Sequence, residues 1–102
     1  NGRIVIRHIL LIRFKKSAKS LQIENLKLLF ESIPNKIEGI ISVEWGLNNS
    51  PEKKNKAYTH AVCMTFLNEK ARQNYLPHPQ HMALKEVFSN ILEDIIVFDY
   101  QV

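Results

Sequence analysis

The sequence predicts an α+β domain of the ferredoxin-like kind, with element order βαββαβ and a four-stranded antiparallel sheet carrying helices on one face. Three observations point there. Four short stretches are rich in Ile, Val, Leu and aromatic residues, with the two-residue alternation of strands. Between the first and second, and between the third and fourth, the apolar spacing changes to three and four residues. The chain has 102 residues, 45% hydrophobic and 24% charged, which is the size and composition of one globular domain.

Arg3 to Lys15 forms the first strand. His8, Leu10, Ile12 and Phe14 share one side and Ile9 and Leu11 the other, so both faces of this strand need cover. From Ser20, an N-cap residue, Ile23, Leu26, Leu29, Phe30, Ile33 and Ile37 make one helical stripe. Pro34 disturbs its last turn and Gly39 ends it. Ile40 to Leu47 is the second strand, and the polar stretch 48–56 a mobile loop. Tyr58 to Leu67 is the third strand, with His60, Val62, Met64 and Phe66 on one face. Asn68 caps a short helix carrying Ala71 and Tyr75, which breaks at Pro77-His78-Pro79. Pro79 opens a further helix with His81, Leu84, Val87, Phe88, Ile91 and Leu92 on its apolar face. Ile95 to Tyr100 closes the sheet.

Such a sheet leaves its second face bare, here with Ile9, Leu11, Ala61, Cys63, Thr65, Ile96, Phe98 and Tyr100. A symmetric homodimer through the sheet faces is the economical cover for so apolar a patch. One cysteine, Cys63, cannot form an internal disulfide, which favours a reducing, cytoplasmic setting. No apolar run approaches the roughly 20 residues that span a bilayer, so no membrane partner is expected, and no retained secretory leader either. The net charge of +4 arises in residues 1–36, which carry eight basic side chains against Glu24 and Glu31. No recognition motif accompanies it, so the charge reads as solvated surface and no nucleic-acid partner is expected.

His8, His60 and His81 all have inward parity, and Tyr75 stands across the proline break from His81. Three imidazoles and a phenol facing one apolar pocket can do proton-transfer chemistry. A neutral imidazole takes a proton near neutral pH, and a phenol hydrogen-bonds the oxyanion that results. The competing reading is a core histidine bonded to backbone, which weighs most for His8, less for His60 and least for His81. His78, between two prolines, reads as a cap or a pocket-rim residue. His78 and His81 are three residues apart, but no metal-binding spacing completes them, and no metal site is expected. Cys63 reads as a small apolar residue at the sheet–sheet interface.

The segments His8 to Lys15, Val43-Glu44-Trp45-Gly46, Tyr58-Thr59-His60, Tyr75 to His81 and Ile95 to Tyr100 resemble the stress-responsive dimeric α/β-barrel family. The likeness runs from about Arg7 to Tyr100. It implies a homodimer whose two sheets close into a barrel. Some members are stress-accumulated plant proteins; one closes the ring of a linear polyketide thioester by intramolecular aldol condensation. That enzyme's histidine and tyrosine match His81 and Tyr75, and His8 and His60 match further pocket histidines. The resemblance thus implies His81 as base, Tyr75 as oxyanion partner, and no cofactor. A pocket is expected to take in His8, His60, Leu10, Ile12, Leu26, Phe30, Val62, His78, Leu84, Leu92 and Val97. Lys27 and Glu31 replace apolar pocket residues of the cyclase, and Leu92 replaces a tryptophan, so the pocket should differ in shape and polarity. The expected function is a cofactor-independent cyclase or isomerase acting on a carbonyl-containing ligand. The alternative is a non-catalytic, stress-associated dimer holding a small apolar ligand.

Overall fold

Alternation along the first strand, β1 (Ile6–Phe14), sorts its residues into two environments. Leu10 and Ile12 are 6% and 0% exposed, whereas Leu11 between them is 37% exposed. One face of the sheet is covered and the other is open. The computed structural model describes residues 4–102, so Arg3, where the sequence places the start of this strand, lies outside the described residues. After β1 come α1 (Ser20–Ser32), a 3-10 turn over Ile33–Asn35, β2 (Ile40–Leu47), β3 (His60–Phe66), α2 (Glu69–Tyr75), α3 (Pro79–Ser89) and β4 (Leu92–Gln101). The strand order is β2-β3-β1-β4, all antiparallel, which is the expected ferredoxin-like sheet. No helix among the described residues is long and apolar enough to cross a membrane.

Leu10, Ile12, Val62, Met64 and Phe66 supply the sheet side of the core, and Leu26, Phe30, Tyr75, Leu84 and Phe88 the helix side. α1 packs on β2 and α3, and α2 on β3. The inward face of the edge strand β4 is left partly uncovered, and Val97 there stays 56% exposed. On the opposite face Ile96, Phe98 and Tyr100 are exposed beside Leu11. Thr65 is the exception on that face: it is buried beneath Arg7, whose Nη1 donates to Thr65 Oγ1 at 2.9 Å.

Several local details differ from the sequence reading. Ser20 is the first helical residue, not the cap; the backbone N–H of Lys19 is held by Gln22 Oε1 at 2.8 Å. The last helix stops at Ser89, and Leu92 already pairs with Phe14 in the sheet next to a register shift. Val87 turns largely outward, because α3 buries Leu84 and Phe88 instead. Regular pairing of β3 begins at His60 rather than Tyr58. The segment before it is tied at its ends: Thr59 N–H donates to the Ile12 carbonyl at 2.9 Å, and the Tyr58 hydroxyl donates to Asp94.

Gly39 has φ +90°, and a Cβ there would stand 2.6 Å from the Cβ of Ala71 on α2. This close approach lets α2 dock, and Tyr75 lies one turn beyond Ala71 on the same buried side. Gly39→Ala should therefore cost about 2–4 kcal/mol, from left-handed strain and overpacking together. Urea unfolding measures this, and a midpoint equal to that of the parent protein would refute the account.

Candidate functional site

The uncovered strip along β4 opens a cavity of about 400 Å³ between the sheet and helices α2 and α3. The two helices belong to one broken segment. His78 N–H donates to the Tyr75 carbonyl at 3.0 Å, closing α2, and His78 Nδ1 accepts from Gln80 N–H at 3.0 Å, capping α3. Pro79 suits the first turn of α3, where no helical partner for its nitrogen is needed. The break sets His81 against Tyr75, with ring centroids 4.3 Å apart.

His81 Nδ1 lies 2.9 Å from the carbonyl oxygen of Leu76. A carbonyl only accepts, so Nδ1 carries the proton and Nε2 of the neutral ring keeps its lone pair. Burial lowers the His81 pKa below the ordinary imidazole value; the Leu76 bond opposes this, while Lys85 and His8 push the same way as burial. Burial raises the Tyr75 phenol above its ordinary range, so its hydroxyl stays protonated and able to donate. His8 faces the cavity from β1, its ring 6.1 Å from that of Tyr75. Its Nδ1 donates to Asp99 Oδ1 at 2.7 Å, and Asp99 Oδ2 accepts from Arg72 Nη1 at 3.2 Å. The other arm of Arg72 is held by Glu69.

Of the residues expected in the pocket, His8, Leu10, Phe30, Tyr75, His81, Leu84, Leu92 and Val97 line this cavity. Ile12, Leu26 and Val62 do not; each is fully packed within the core. His60 does not either. It pairs with Ile12 while His8 pairs with Met64, four residues along β3 and so roughly 13 Å away. It lies instead between Phe14 and Trp45, at ring distances of 5.0 and 5.4 Å, and burial lowers its pKa. His78 is spent on capping α3. Lys27 and Glu31 on α1 stand outside the cavity, so their polarity does not reach it.

Sequence reasoning missed Phe66, Arg72, Leu76, Lys85, Phe88, Ile95 and Asp99. Three of these were within reach. Asp99 shares the inward parity of Ile95 and Val97, and an acid at an inward strand position needs a partner. Arg72 precedes Tyr75 by three residues and Lys85 follows His81 by four, both on the cavity-facing sides of their helices. Cys63, half-buried on the open face, has its thiol pKa raised by burial and by Glu44, with Arg7 opposing.

The family model for the stress responsive A/B barrel domain matches residues 6–102. Olivetolic acid cyclase of Cannabis sativa is 28% identical over 97 residues, spanning 95% of this chain and 96% of its own. The structure of a hydroxynitrile lyase from Passiflora edulis superposes with a TM-score of 0.89 at 24% identity, covering 96% of this chain and 93% of that one. A Thermobifida fusca protein described as dimeric and ferredoxin-like superposes with a TM-score of 0.83 at 23% identity, covering 99% and 93%. The last two likenesses speak to the fold alone. The family match takes in every strand and helix described above, and the chain belongs to the stress-responsive A/B barrel domain family.

Proposed function

We propose that this chain is one subunit of a homodimeric, cofactor-independent enzyme that moves a proton on a carbonyl-containing substrate, in an aldol-type cyclisation or an isomerisation. The observation that carries this reading is the 4.3 Å contact of Tyr75 with His81 inside a largely apolar cavity. His81 Nε2 takes a proton from carbon next to the carbonyl, and the C–H electron pair moves into the enolate. The Tyr75 hydroxyl donates a hydrogen bond to the enolate oxygen, and the imidazolium returns its proton to the product. A related cyclase and a hydroxynitrile lyase of the same fold support catalysis on this scaffold. Its apolar lining also suits the alternative, a stress-associated dimer that holds a ligand without turning it over. The single thiol, Cys63, supports placing the protein in the cytoplasm.

Solvent deuterium incorporation into a β-keto N-acetylcysteamine thioester, followed by NMR, tests the catalytic reading. His81→Ala and Tyr75→Phe should each slow the protein-dependent exchange by about 10²-fold or more while the fold persists. Exchange at the parent rate in both variants would exclude the pair; no exchange with the parent protein, but binding of the thioester, would favour the alternative. The pH profile carries a second test. The lowered pKa keeps His81 unprotonated into mild acid, so the acidic limb of kcat/KM should lie below about 6.5, the ordinary imidazole value. A limb at or above that value would contradict the assignment.

The open sheet face supports a homodimer formed through it, as does the dimeric description of a protein of this fold. Phe98, 62% exposed on the edge strand of that face and paired with Ile9 of the central strand, is its natural anchor. Light scattering should find a dimer for the parent protein and a folded monomer for Phe98→Glu. A parent protein that is monomeric at micromolar concentration would overturn the interface.

A further inference from the structure

The charged groups around the cavity are unequally engaged. Asp99 is shared between His8 and Arg72, and Arg72 is shared between Asp99 and Glu69. Lys85 lines the same cavity, and none of the ion pairs among the described residues includes it. It follows His81 by one helical turn, so the ammonium and the imidazole are presented on one side of α3. Lys85 and the neighbouring Glu86 are both exposed, and Glu86 stands about 100° further round the helix. Between these groups the lining is hydrocarbon: Leu84, Phe88, Leu92 and Val97. Lys85 is the one charge of the lining that no carboxylate neutralises among the described residues.

We infer that the cavity takes a carboxylic acid, with an apolar body against the hydrocarbon wall and its carboxylate paired to Lys85. This rests on the proton-transfer reading of the same cavity and narrows its substrates to keto acids, whose acidic C–H lies a few bonds from the carboxylate. The spacing fits: about 5–6 Å separates the Cβ atoms of residues one turn apart, which sets the anchor and the base at opposite ends of a short carbon segment. Arg72 does not compete for the carboxylate, since both its arms are held.

Electrostatic coupling inside the cavity gives the inference a second readout. His81 is faced by Tyr75 from α2, by His8 from β1 and by Lys85 from its own helix. Lys85 disfavours the imidazolium, and a carboxylate seated on Lys85 offsets that effect. Binding of the acid should therefore raise the proton affinity of His81.

Calorimetry and histidine NMR with 3-phenylpropanoate and its uncharged isostere 3-phenylpropanamide test this on the intact protein. The acid should bind about five- to tenfold more tightly than the amide. Lys85→Gln should abolish that preference and Lys85→Arg should restore it. The His81 titration should move to higher pH with the acid and not with the amide. Equal affinities in the parent protein, or a preference that survives Lys85→Gln, would overturn the carboxylate inference while leaving the cavity as a ligand site. If neither probe binds at millimolar concentration, the cavity reading falls and the inference falls with it.

Discussion

The architecture hangs on β1 being apolar on both faces while lying between β3 and β4 at the middle of the sheet. A central strand of that kind presents apolar side chains to both sides of the sheet. Its inward residues Leu10 and Ile12 collect the helices, and its outward residues Ile9 and Leu11 join Phe98 and Ile96 in one open patch. The helices do not cover the sheet evenly. α1 packs on β2 and α2 on β3, the inward residues of β1 are buried between, and the inward side of β4 is what remains partly uncovered. The cavity is thus the part of the core that the helical layer does not reach, and it needs no device of its own to stay open.

What makes that space chemically useful is the interruption between α2 and α3. Two prolines around His78 forbid a continuous helix, and a continuous helix would carry Tyr75 and His81 on a straight axis, separated by six residues. Broken, the segment sets His81 against Tyr75 and turns its Nδ1 toward the Leu76 carbonyl. One backbone oxygen then decides which imidazole nitrogen is basic. On the far side His8 is held in the same manner, but by a carboxylate, and that carboxylate is in turn held by Arg72.

The element order, the sheet and the open face were legible in the sequence because each rests on periodicity, which is a local property. So was the Asn68 cap, whose Oδ1 accepts from the Ala71 N–H at 2.9 Å as its position before a helix requires. The Tyr75–His81 pair was legible through its proline punctuation. The cavity's outline was not. Inward parity gathers His8 and His60 on one face, but only the pairing register tells that they lie at different levels along the sheet. Likewise Ile12, Leu26 and Val62 point inward as expected, yet lie where helices press on the sheet, and no one-dimensional pattern separates packed from unpacked inward positions. The Asp99–Arg72 link joins residues 27 apart on a strand and a helix, a contact that arises only once α2 is docked.

The last strand carries two duties on alternate residues. Ile95, Val97 and Asp99 border the cavity, while Ile96, Phe98 and Tyr100 belong to the open face. A single-residue insertion or deletion just ahead of this strand would exchange the two sets, sending the phenylalanine inside and the aspartate out. The change would remove the partner of His8 and spoil the apolar face in one event. A change of chain length in the loop between β2 and β3, which carries neither set, leaves this alternation untouched.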